Sequence, residues 1–94
     1  MGKKSTPTID EQLYQKREEL TQAQMTQTNA YSEYMKVMKA KSIVDPSETE
    51  KLDKLDELMF QHFTDYQHAL EDAKKLEVEL AELEAQKYLE DILS

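Results

Sequence analysis

The chain contains no cysteine, a single glycine and only two prolines in 94 residues. The missing thiols exclude disulfides and thiolate metal sites, and they leave the compartment open. With Gly2 the one glycine, no glycine-rich phosphate loop can be built, and neither a Ser/His/Asp order nor a nucleophile motif occurs, so catalysis and a bound cofactor are not expected. No apolar run is long enough to span a membrane and no secretory signal is present, which points to a cytoplasmic chain. The start Met1-Gly2-Lys3-Lys4-Ser5-Thr6 matches the N-myristoylation pattern, although a short, solvated, basic arm explains the same residues without a lipid.

What the chain has is the composition of long helices. Ala, Glu, Lys, Leu and Arg make up 43 of its residues, whereas Leu, Ile, Val and Phe make up 19, near the lower limit for a chain that folds alone. Ninety-four residues allow one small domain with a limited core, a shortage that self-association would relieve. The net charge of -8 is unevenly divided. Residues 1–44 carry seven Lys/Arg against five Asp/Glu, and residues 45–94 carry five Lys against fifteen Asp/Glu, so the two halves attract. An acidic second half lacks the clustered cations that displace counterions from phosphates, so neither nucleic acid nor an anionic membrane is an expected partner.

Two start signals divide the chain. Thr8 and Glu11 have the spacing of a capping box, and Asp45-Pro46-Ser47-Glu48 combines an N-cap residue, a proline suited to the first helical position and a second box carboxylate. These predict a disordered polar tail over residues 1–7, a helix over 9–41, a loop over 42–45 and a helix over 46–93. The short connection implies antiparallel neighbours, hence an all-α, antiparallel two-helix hairpin of coiled-coil-like helices that associates into a four-helix bundle. In the second arm the heptad a positions are Leu52, Met59, Tyr66, Ala73 and Leu80, and the d positions are Leu55, His62, Ala69, Leu76 and Leu83. The first arm carries a weaker stripe through Ile9, Leu13, Leu20, Ala23, Ala30, Tyr34 and Val37, interrupted by Lys16 and Gln27. Setting Val37 against Leu52 repeatedly brings large residues against small ones, and it places Gln27 against His62 as one polar layer that selects the register. In this register the first arm is exhausted at Leu80.

His62 has no second ligand at metal spacing and reads as a structural histidine. Asp65, His68 and Asp72 share a helical face but lack the paired Glu-x-x-His elements of carboxylate-bridged metal bundles, so they read as a solvated face and no metal is expected. The seam leaves other large residues over. Tyr31 and Met38 fall on the same flank as Phe63 and Leu70, a patch suited to a second hairpin. Beyond Leu80 the apolar stripe shifts to residues that include Tyr88, Leu89, Ile92 and Leu93, as in an amphipathic segment that enters a groove of another protein.

In outline the hairpin resembles small helical hairpins such as secretion-needle subunits, their chaperones and phage assembly factors; none of its motifs is specific to one of them. The expected function is a non-enzymatic protein–protein interaction module, an adaptor, chaperone or assembly component that self-associates. The alternative is an acidic, phage-type inhibitor or nucleic-acid mimic in a basic groove of a target enzyme. Salt separates the two, because charge-driven inhibition collapses as ionic strength rises and apolar docking persists.

Overall fold

A computed structural model describes residues 6–94. Most of the expected polar tail, including Gly2 and its lipidation pattern, lies outside the described residues. Two long helices, α1 (Ile9–Ser42) and α2 (Thr49–Leu93), pack against each other as an antiparallel hairpin, and no strand occurs among the described residues. At about 1.5 Å per residue they are roughly 50 and 70 Å long. The radius of gyration is 20.8 Å, against about 12 Å for a compact domain of this length, so the hairpin is a rod with little interior.

The start of α1 follows the sequence. The Thr8 Oγ1 accepts from the Glu11 N–H at 3.1 Å and the Glu11 carboxylate accepts from the Thr8 N–H at 2.8 Å, closing the capping box. Asp10 and Glu11 in the first turn, and Lys39 and Lys41 in the last, complement the helix dipole. Without a glycine to adopt a left-handed cap, α1 ends in a tightened turn: the Ile43 N–H reaches the Ala40 carbonyl at 3.2 Å and the Ser42 hydroxyl donates to the Lys39 carbonyl at 2.6 Å.

The start of α2 does not follow it. The second helix begins at Thr49 instead of Pro46, because Asp45 makes a turn rather than a cap. Its Oδ1 accepts from the Ser47 N–H at 2.9 Å and from the Ser47 hydroxyl at 2.8 Å, while its carbonyl accepts from the Glu48 N–H at 2.9 Å. Asp followed by Pro is equally the opening of a β-turn, and here that use wins. Glu48 becomes the N-cap residue without a side-chain cap bond, and its carboxylate pairs with Lys51 at 2.8 Å.

The heptads of both arms hold. Every expected a and d residue, from Ile9 to Val37 and from Leu52 to Leu83, is buried or half-buried, Lys16, Gln27 and His62 included. The register between the arms differs from the expected one by one heptad. Tyr34 packs at a tilt against Phe63 with ring centroids 5.7 Å apart and Tyr31 against Tyr66 at 5.5 Å, while Lys41 meets Asp56 and Asp10 meets Lys87. Val37 therefore lies at the level of Met59, not Leu52. Gln27 and His62 do not form a layer, since they sit about eight residues, or roughly 12 Å, apart along the seam. The late start of α2 accounts for the direction of the shift, and the 3.5-residue periodicity allows it only in whole heptads.

The core is thin. Leu13, Ala30, Val37, Ala69 and Ala73 are its buried apolar residues, three of the five being alanine, and no large side chain is fully enclosed. The alanines let the two backbones approach closely at mid-rod, with little apolar area gained per residue.

Candidate functional site

The seam divides the surface of the rod into two flanks of different chemistry. One flank holds the e positions of both arms. At its centre four rings meet: Tyr31 and Tyr34 at 6.4 Å, Tyr34 and Phe63 at 5.7 Å, Phe63 and Tyr66 at 6.4 Å, and Tyr66 and Tyr31 at 5.5 Å. These separations suit offset or tilted aromatic packing. Tyr34 and Tyr66 are half-buried in the seam, whereas Tyr31 and Phe63 remain 50% and 43% exposed, Met38 is 39% exposed and Leu70 is half-buried beside them. The structure thus brings Tyr31, Met38, Phe63 and Leu70 onto one side of the molecule. The sequence pattern did not show that the rings of Tyr34 and Tyr66 underlie them.

The opposite flank holds the g positions and is acidic. Ala23, Thr26, Glu33, His62, Asp65 and Asp72 contribute to an open groove of about 480 Å³ that His68 also borders. His62 is half-buried there beside carboxylates of both arms. Asp65, His68 and Asp72 share that groove, and among the described residues no group of three His, Cys, Asp or Glu is placed to hold a metal ion.

Three lysines of the seam link the arms. Lys16 reaches Glu79 at 2.9 Å, Lys41 reaches Asp56 at 2.6 Å and Lys87 reaches Asp10 at 3.1 Å. Each occupies an a or d position, lays its methylene stem along the apolar stripe and carries its ammonium out to a carboxylate of the other arm. The hydrogen bond to Glu79 raises the Lys16 pKa and lowers that of Glu79, and the bond to Asp10 raises that of Lys87. Single exposed pairs contribute little to stability. Spaced along the rod, however, these three agree on one register, and a slipped hairpin loses all of them together. Lys16 therefore interrupts the stripe for a reason, and Lys87 continues the seam one heptad beyond Leu80. A lysine at a seam position with a carboxylate beside the seam on the facing arm is the sequence signal for such a link.

Lys87 also redraws the end of α2. Because Asp10 and Arg17 bind Lys87 and Glu84, at 3.1 and 3.4 Å, α1 accompanies α2 to Lys87, not merely to Leu80. The six residues Tyr88–Leu93 run past the start of α1, with Tyr88 65%, Leu89 52%, Ile92 57% and Leu93 80% exposed. The stretch expected to leave the seam at Ala81 thus leaves it at Tyr88.

No helix among the described residues is long and apolar enough to cross a membrane. Comparison with protein-family models, with curated proteins and with solved structures found no match.

Proposed function

We propose that the chain is a non-enzymatic helical-hairpin interaction module, an adaptor, chaperone or assembly component, which pairs with a second copy through its aromatic flank. The observation that carries this reading is the imbalance between core and surface. A core of five small or medium residues supports thirteen large apolar side chains that stay exposed among the described residues. The accessible surface of 7468 Å² exceeds the roughly 5,600 Å² of a compact protein of the same mass. That excess is greater than the ~800 Å² per partner that a standard specific interface covers. Rings that already pack on one another and still show a face to solvent form the rigid, low-entropy surface that such interfaces use.

In this reading the acidic flank stays in water and keeps the assembly soluble, and the exposed stripe of Tyr88, Leu89, Ile92 and Leu93 enters an apolar groove of a different protein. Size-exclusion chromatography with light scattering tests the first part. The protein elutes as an oligomer, and the double substitution Phe63→Glu with Leu70→Glu returns it to a helical monomer. An oligomer that survives the double substitution refutes the assignment of the flank.

A further inference from the structure

The charge pattern beside the rings is specific enough to orient the second copy, and this inference rests on the self-association just proposed. Two hairpins stacked flank to flank by a two-fold axis have two choices. Either both Asp45–Glu48 turns lie at one end of the bundle, so that each α1 rests on the partner's α2, or the turns lie at opposite ends, with α1 resting on α1 and α2 on α2. All neighbours are antiparallel in both, so packing geometry does not decide between them.

Charge does. From the turn outward, the flank of α1 presents Lys41, Met38, Tyr31, Gln24, Arg17 and Asp10, and that of α2 presents Asp56, Phe63, Leu70, Glu77 and Glu84, with Lys87 beside Asp10. Within one hairpin these already match by level: Lys41 bonds Asp56, the rings meet at mid-rod and Arg17 bonds Glu84. With both turns at one end, each α1 lies over the partner's α2 at the same levels, so Lys41 faces a second Asp56 and Arg17 faces a second Glu77 and Glu84. With turns opposed, the α2 flank that carries Asp56, Glu77 and Glu84 is laid on its own copy. Like charges placed face to face oppose association and select against that arrangement.

We infer that the protein forms a two-fold dimer of hairpins in which both turns lie at one end, each α1 contacting the α2 of both copies. One consequence is that the two Tyr88–Leu93 segments emerge together at the opposite end, as a divalent tip.

The absence of cysteine makes the test direct, because Ser47→Cys introduces a single labelling site on the exposed turn. With a spin label there, pulsed dipolar spectroscopy on the dimer should give a turn-to-turn distance below about 25 Å, the spacing of neighbouring helices plus two label arms. Opposed turns that keep the aromatic patches in contact would lie about 35 Å or more apart, given the rise along α1, and that result overturns the orientation while leaving self-association intact. A labelled chain that light scattering shows to be monomeric overturns both. In the Phe63→Glu with Leu70→Glu background the short distance should vanish; its persistence would place the interface elsewhere and overturn the proposal.

Discussion

The two flanks of the hairpin are built on the same seam, from the same two helices and at mirror-related heptad positions, yet they expose different chemistry. On the acidic flank Lys16 bridges Glu79 at 2.9 Å and approaches Glu19 at 3.7 Å, and carboxylates of both arms border the open groove beside His62. On the aromatic flank the ionic links lie toward the two ends of the rod, at Lys41–Asp56 and Arg17–Glu84, while the middle offers rings and methionine to solvent. Heptad geometry therefore fixes where the two surfaces are, and the residues at e and g fix what each can do. In the proposed assembly one flank stays in water and the other is covered.

That contrast can be broken most severely at the seam both flanks share. Leu13 is 4% exposed, and Leu13→Ala should cost about 2–5 kcal/mol in urea unfolding, a large part of the stability of so thin a core. A cost below about 1 kcal/mol would mean that the arms do not rely on this seam. The next largest effect separates the flanks directly. Asp65→Asn with Asp72→Asn on the acidic flank should leave the molar mass in solution unchanged, and the matched Phe63→Glu with Leu70→Glu should halve it. A mass change from the acidic pair would erase the distinction between the two sides.

Truncation sharpens the comparison further. A chain ending at Lys87 keeps every cross-arm ion pair and should retain its helicity per residue and its mass, whereas a chain ending at Leu80 loses the partners of Asp10 and Arg17 and should melt at a lower temperature. Equal melting of the two would show that the links through Lys87 and Glu84 do not hold the arms in register.

The smallest effect lies in the turn. The backbone and side-chain hydrogen bonds from Ser47 lower the Asp45 pKa from its ordinary 3.8, so the folded state favours the ionised carboxylate. The sign follows from linkage: the turn contributes stability at neutral pH, and the contribution is lost as the pH falls below about 4 through the depressed value. The difference in melting temperature between the protein and Asp45→Ala should be full at neutral pH and close in acid. A gap independent of pH would assign the effect of Asp45 to something other than its charge.

Which parts of this were legible in the sequence follows from the range of each interaction. The stripe from Ile9 to Val37 and the ten a and d residues of α2 are set by local periodicity, and the capping box at Thr8 closes over three residues, so both were readable. Asp45-Pro46-Ser47-Glu48 is just as local but ambiguous, because the same residues open a helix or close a β-turn, and only the Ser47 bonds show which. The register depends on contacts across the hairpin. Pairing large residues with small ones scores almost alike in neighbouring heptads when alanine recurs at 23, 30, 69 and 73, so that criterion was too weak. The ion pairs of Lys16, Lys41 and Lys87 distinguish the alternatives, and each depends on a carboxylate of the facing arm that the periodicity of one arm does not reveal. The same slip produced the supposed layer of Gln27 and His62. Tyr31, Met38, Phe63 and Leu70 were nonetheless placed on their common flank, since flank membership survives a shift of a whole heptad.

The claim that the aromatic flank is a surface to be covered is tested most directly by the molar mass of the unmodified protein across a micromolar dilution series. The account predicts twice the 11.0 kDa of the chain, falling toward 11.0 kDa only on dilution. A fully helical protein that stays at 11.0 kDa at the highest concentration would contradict it.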